Sequence, residues 1–429
     1  VGHLERLQGE DSRFGDLWAE VPRESLLLGA LFHDAGKGGD NHAEKGARIA
    51  EEVLARWGAD PALRADAAFL ARHHLLLAET ATRRDLGDEA VVLHCAGQAG
   101  TETRLKMLYL LAYADGRATG PKAWNDWTAH LLSELFHKCM NILRGGDLSA
   151  AGSARRALRT RDEVRSLARG AGTMSPAAVE AFLESLPPRY ILAVEPRAIL
   201  RHFLLAARLE ETLREEERRL PRERAAKGLV VLEARPEEGS VWELAVAAKE
   251  QPGLFATICG VLSLHGLNIH SADIFTWRDG TVIDVFRVSE PPDPLYADQL
   301  WTRVRGAVKF ALTGKLALDY RLERKQGSLL AAPEPAAPSS APQVRVDNAV
   351  TDFYTVVEVR APDRAGLLYD IARTLRVLEL EVHVARVATK VDQVVDVFYV
   401  RDAFGQKVED SEHVEEIRRA LEHSLAERA

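Results

Sequence analysis

A chain of 429 residues, 46% hydrophobic and 28% charged, is long enough for two to four domains that each bury a core. Its formal charge of −8 argues against a broad nucleic-acid-binding surface and suggests a cytoplasmic protein. Three widely spaced cysteines, Cys95, Cys139 and Cys259, speak against a disulfide framework or a thiolate zinc site, and no apolar run is long enough to span a membrane.

The chain opens at Val1 on a helix-like stretch and reads as a piece of a longer protein. Residues 1–145 read as almost wholly helical. The segment Leu26 to His42 is the unusual one: an apolar helical run delivers His33 and Asp34 side by side, then a glycine-rich turn carries Lys37 and leads to His42. A carboxylate at the end of a buried helix needs a cation, and an adjacent imidazole suggests a metal. Ala50, Val53, Leu54 and Trp57 then mark one face of an amphipathic helix, and Asp60-Pro61 is a stop and restart. The next helix, Ala62 to Leu77, ends near His73 and His74, of which one should point inward because adjacent helical positions diverge by about 100°. A helix from Arg104 is expected to terminate in Ala114-Asp115-Gly116, and Trp124, Trp127, Leu131, Leu132, Leu135 and Phe136 mark another.

Residues 146–228 are rich in Arg and Glu and read as a solvated helical connector. From Gly228 the grammar changes. Strands at Leu229–Leu232 and Trp242–Ala248, a helix after Pro252-Gly253, a hairpin turning at Arg278-Asp279-Gly280, a helix at Leu300–Leu312 and a closing strand at Leu316–Leu322 give a βαββαβ, ferredoxin-like α+β module over 229–325. Residues 326–349 read as an Ala/Pro-rich linker, and a second module follows over 350–429. The two are copies: Gly253-Leu254 matches Gly366-Leu367 and Leu267–His270 matches Leu380–His383, both at an offset of 113.

His33, Asp34, His42, His74 and Asp115 form the candidate metal set. Imidazole with carboxylate suits Mn²⁺, Mg²⁺, Fe or Zn, one ion or two, in an open catalytic site. A divalent ion there would lower the pKa of its water and polarise a phosphoryl oxygen. Lys37 could offset phosphate charge as a mobile cation. In the modules, Gly253 and Gly366 let the backbone approach a ligand closely, Leu254 and Asp363 adjoin those turns in sequence, and Asn268, at the start of the second strand, could hydrogen-bond an amino-acid head group.

LFHDAGK, a later histidine pair and a helix-end aspartate resemble the HD-domain metal-dependent phosphohydrolases. The longer text GGDNHAEKGA, ARHHLLLAETATRRD and AYADGRATGPKAWNDW resembles the HD domain of the bifunctional PII uridylyltransferase/uridylyl-removing enzymes. KEQPGLFATICGVLSLHGLNIHSADIFTWRDGTVIDVFRV is similar to the first of that family's two ACT domains. The resemblance implies metal ligands at His33, Asp34 and Asp115, with His42 and His74 at a second metal or phosphate position and His74 or Lys37 stabilising the phosphoryl group. It implies uridylylated PII as substrate, glutamine as effector, and a nucleotidyltransferase domain preceding this segment, where uridylylation from UTP would belong. It also implies an earlier histidine ligand. His3 is the one candidate here, but its place directly before Leu4-Glu5-Arg6-Leu7 looks late in that helix, so the expected ligand is either His3 or a residue upstream of Val1. The other readings are a (p)ppGpp-type HD phosphohydrolase and a non-catalytic amino-acid sensor.

Overall fold

The computed structural model describes residues 1–10, 12–38, 41–120, 124–144, 150–171, 175–237, 240–328, 341–351, 353–364, 366–390 and 393–426. It divides into two compact units, Val1–Ser149 and Ala150–Ala429.

The first unit is all helical: α1 (Gly2–Glu10), α2 (Ser12–Ala19), α3 (Arg23–Phe32), α4 (His42–Arg56), α5 (Pro61–His73), α6 (Leu76–Arg83), α7 (Glu89–Ala99), α8 (Glu102–Thr119) and α9 (Asp126–Leu143). Asp60 caps α5, its carboxylate accepting from the Ala62 N–H at 2.8 Å with Pro61 in the first turn, so the stop and restart is realised. Four expectations shift. The helix carrying the histidine pair breaks at His74 and Leu75, and α8 runs on to Thr119, which puts Asp115 inside a helix instead of at its end. Trp124 precedes the cap Asn125 of α9, and Trp57 is exposed.

Helices α3, α4 and α5 approach closely because small residues face one another. Phe32, Ala47, Ala50, Leu54, Ala67, Ala68 and Ala71 share one buried cluster. A Cβ on Gly29 would stand 2.6 Å from Leu70 Cδ1, and one on Gly36 would stand 2.1 Å from the His42 carbonyl oxygen. Glycine at 36 therefore lets the start of α4 seat on the turn after α3.

The second unit opens with α10 (Ala150–Ala171), α11 (Pro176–Ser185), α12 (Pro188–Ala193), α13 (Pro196–Glu217) and α14 (Arg222–Ala226). The first module follows as β1 (Val230–Pro236), β2 (Val241–Lys249), α15 (Leu254–Leu264), β3 (Ile269–Thr276), β4 (Thr281–Ser289), α16 (Ala297–Leu312) and α17 (Leu318–Ser328). The second is β5 (Gln343–Asp347), β6 (Thr355–Ala361), α18 (Leu367–Val377), β7 (Glu381–Lys390), β8 (Gln393–Arg401) and α19 (Ser411–Ala426).

All eight strands form one antiparallel sheet in the order β1-β2-β4-β3-β7-β8-β6-β5. Its two halves mirror one another and join where Ser271, Ala272 and Asp273 pair with Arg386, Ala385 and Val384. The α+β class holds, but the order within each copy is ββαββα. The stretch expected to be a closing strand, Leu316–Leu322, enters helix α17, and the sheet position it would have filled is taken by β1. In the second copy the same edge position belongs to β5, which lies within the stretch read as linker.

The connector is also corrected. On β2 and β4 the side chains alternate: Leu244, Val246, Val282 and Phe286 join the core under α15, while Ala245, Ala247, Ile283 and Val285 face the other way. That second face is covered by Phe182, Tyr190, Ile199, Leu205 and Leu209, so the supposed solvated connector is a packed helical layer. Its charged half ties to the sheet through Arg208–Glu233 at 2.7 Å and Arg201–Glu243 at 3.2 Å.

Candidate functional site

His33 and His74 are the residues that end α3 and α5, and each uses its ring in the same way. His33 Nδ1 lies 2.8 Å from the Ala30 carbonyl oxygen, and His74 Nδ1 lies 2.8 Å from that of Ala71. A carbonyl can only accept, so each Nδ1 donates to it, and whenever the ring is neutral its lone pair is on Nε2. This backbone tether is what orients a histidine for ligation.

The two Nε2 atoms face carboxylates. His33 Nε2 is 3.3 Å from Asp34 Oδ2 and 3.3 Å from Asp115 Oδ1, and His74 Nε2 is 3.9 Å from Asp34 Oδ1. His42, delivered by the Gly36 turn to the start of α4, lies 5.6 Å ring to ring from His74, which lies 5.2 Å from His33. Asp34, His42 and His74 each offer a ligand atom, all within 4.8 Å of one another. The structure thus brings together all five residues expected at the metal.

The electrostatics fit a cation. A neutral imidazole whose lone pair meets two carboxylate oxygens is repelled unless a proton or a metal ion stands between them. Accordingly the hydrogen bond to Asp115 pushes the His33 imidazole up from its usual value, and His33 holds the Asp115 carboxyl below the ordinary carboxylate range. Burial pushes His74 down, keeping it neutral and able to ligate. The donor set, nitrogen and oxygen without sulfur, suits a divalent ion of the Mn, Mg, Fe or Zn class. Lys37 Nζ sits 2.5 Å from Asp34 Oδ2 with its side chain largely exposed, so in this state its partner is the carboxylate.

Of the adjacent histidines, the inward one is His74, while His73 packs at a tilt against Phe69, ring centroids 4.7 Å apart. Sequence reading missed the Ala30 and Ala71 carbonyls and the role of Gly36, which depend on how helices meet in space. It also passed over Gly116, directly after Asp115: a Cβ there would stand 2.1 Å from Trp124 Cε3.

In the modules, Gly253 and Gly366 both cap their helices with φ of 79° and 83°, a left-handed conformation that favours glycine. The Leu254 side chain is buried in the core and its N–H bonds to the Gln251 carbonyl at 3.3 Å, so it offers no side chain to a ligand. Asn268 is exposed at the entry to β3, and burial raises the Asp363 carboxyl. Arg376 of α18 reaches across to the first turn, its Nη1 2.9 Å from where a Gly253 Cβ would be.

An HD domain with a tethered histidine–carboxylate cluster, joined in one chain to a pair of ACT-type modules, defines the class of protein. A family model of the HD domain matches residues 3–115, opening on His3 and closing on Asp115. A model described as an ACR9-like, ACT-like domain matches residues 343–428, a span that begins at β5. Curated proteins named bifunctional uridylyltransferase/uridylyl-removing enzyme are similar along nearly the whole chain. Those of Gluconobacter oxydans and Rhodospirillum rubrum are 35% and 34% identical over 94% of it, and that of Azospirillum brasilense is 32% identical over 95%. The chain is a homologue of the bifunctional uridylyltransferase/uridylyl-removing enzymes, and it spans about two-fifths of the length of these relatives (41% and 42%). Among the described residues no helix is long and apolar enough to cross a membrane.

Proposed function

We propose that this chain is a metal-dependent phosphodiesterase that removes UMP from uridylylated PII, under the control of glutamine bound by the ACT pair. The observation that carries the proposal is the convergence of five side chains from α3, the turn after it, α4, α5 and α8, with two imidazoles locked by backbone carbonyls so that Nε2 faces carboxylates. The relatives' printed name supplies the uridylyl group.

His33, Asp34, His42, His74 and Asp115 would hold one or two Mn²⁺ or Mg²⁺ ions. Such an ion supplies Lewis-acid polarisation of the phosphoryl oxygens and an activated water. The chain's own part is positional. The carbonyl tethers fix the imidazole planes, and the tight α3–α4–α5 packing holds the donors without reorganisation. Lys37, mobile and exposed, would leave Asp34 when that carboxylate takes up the cation, and would meet the phosphate charge. Glutamine would act at the Gly253 and Gly366 turns, with Asn268 at the entry to β3 and Asp363 before the second turn as further contacts, through its differential affinity for two arrangements of the pair.

The test is incubation of the chain with uridylylated PII and Mn²⁺, with and without glutamine, followed by quantitation of free UMP. UMP release that rises with glutamine and is lost in His33→Ala is the expected result. If the chain binds no divalent ion and His33→Ala behaves as the parent does, the proposal is wrong.

A further inference from the structure

The stretch Ala112 to Trp127 carries a feature that ion binding leaves unexplained. Gly116 follows Asp115 on α8, and the indole of Trp124 packs closely against it: a Cβ at 116 would stand 2.1, 2.5 and 2.9 Å from Cε3, Cζ3 and Cδ2. Glycine is the residue that allows a tryptophan ring to rest on the helix backbone one position from the carboxylate. Tyr113 braces the ring edge-on, with centroids 4.8 Å apart and planes at 74°, and is itself backed by Phe14 at 4.5 Å. After these contacts Trp124 remains half-exposed, whereas Trp127 is buried. A braced, partly open aromatic ring seated on the helix one residue after Asp115 can serve as a stacking platform, because every nucleobase offers a π-face to such a ring.

We propose that Trp124 is the specificity residue of the site: the base of the uridylyl group stacks on its indole while the phosphate lies at the His33–Asp34–Asp115 cluster. The inference rests on the uridylyl-removing reading and adds to it the source of nucleotide selectivity. A metal cluster and a lysine recognise any phosphate ester, so discrimination in favour of a nucleotide must come from a surface that touches the base.

The test compares binding of UMP with binding of ribose 5-phosphate to the full chain in Mn²⁺-containing buffer. The two ligands share phosphate and sugar, so their affinity ratio isolates the base. The parent chain is expected to prefer UMP by about tenfold, within the range that stacking on an aromatic residue supplies. Trp124→Ala should bring the ratio to near one with ribose 5-phosphate affinity unchanged, and Trp124→Phe should keep part of the preference. Gly116→Ala should lower the ratio by displacing the ring without removing it. The inference is overturned if the parent shows no preference for UMP, if Trp124→Ala retains it, or if affinities for both ligands fall in parallel. A preserved preference in a chain that releases no UMP from uridylylated PII would instead sink the hydrolase reading and leave the base platform standing.

Discussion

Single residues decide this structure where no alternative atom fits. Gly36 is one: its would-be Cβ meets the His42 carbonyl at 2.1 Å and the Gly46 nitrogen at 2.7 Å, both backbone atoms that no rotamer change can move. Gly36→Ala is expected to cost about 2–3 kcal/mol, typical of overpacking, and to weaken Mn²⁺ binding because His42 is carried by the displaced strand of chain. Gly97→Ala is the control, a helical glycine with nothing within 4 Å, and should stabilise by about 1 kcal/mol. Urea denaturation and ion titration of the two variants separate the effects; equal behaviour would refute the close-approach argument. A second residue-scale feature is the repeated Asp284 and Asp396 of the two modules. Asp284 has no hydrogen-bond partner for either carboxylate oxygen and Asp396 none for Oδ1, and burial pushes both carboxyls up to about 8. A carboxyl whose folded value exceeds its unfolded one gives stability that is fully present below the unfolded value and is lost as pH rises through the folded one. Between about pH 4 and 8 each such group therefore lowers stability by up to about 1.4 kcal/mol per pH unit. Asp284→Asn should flatten that slope in denaturation series run from pH 5 to 8, and an unchanged slope would show that the carboxyl titrates normally.

At the scale of elements, the layer formed by α10–α13 changes what the Arg- and Glu-rich segment is for. Leu209 of α13 is fully buried against the sheet face made by Ala245, Ala247, Ile283 and Val285. Leu209→Ala should destabilise the second unit by about 3 kcal/mol, where a solvated spacer would lose less than about 0.5 kcal/mol; thermal unfolding measures the difference. The composition hid this because α13 has a charged half that is satisfied by the sheet's own charges, so a high count of Arg and Glu coexists with a buried apolar stripe. Elsewhere the text was easier to read. The repeat of Gly-Leu and of Leu267–His270 at a constant offset of 113 announced two copies of one α+β module, and His33-Asp34 marked the place where the histidine–carboxylate cluster forms. The strand order was not legible: Leu316, Leu318, Tyr320 and Leu322 alternate like a strand, yet Leu318 and Leu322 also share a helical face, and β1 pairing with β2 leaves no edge for a closing strand. Likewise Val344 and Val346 of β5 alternate properly but stand directly after an Ala/Pro-rich run that reads as linker. Local pattern records propensity, whereas edge occupancy and close backbone approach belong to the assembled fold.

For the molecule as a whole, the two compact units carry different chemistries: a histidine–carboxylate cluster in Val1–Ser149 and the paired glycine turns in Ala150–Ala429. If glutamine bound at the turns governs hydrolysis at the cluster through an equilibrium between states, the coupling is a free energy shared by both sites. Thermodynamic linkage then requires that whatever factor glutamine imposes on Mn²⁺ affinity, Mn²⁺ imposes on glutamine affinity. Coupling of about 1–3 kcal/mol, the usual range, corresponds to about 5–150-fold. Calorimetric titration of glutamine with and without Mn²⁺, and of Mn²⁺ with and without glutamine, should return one common factor. His33→Ala should abolish the ion's influence on glutamine while leaving glutamine binding itself intact, since the turns lie in the other unit. Should each ligand bind with the same affinity whether or not the other is present, equilibrium control of the ion site fails. The histidine–carboxylate cluster, tested by ion titration alone, would stand apart from that result.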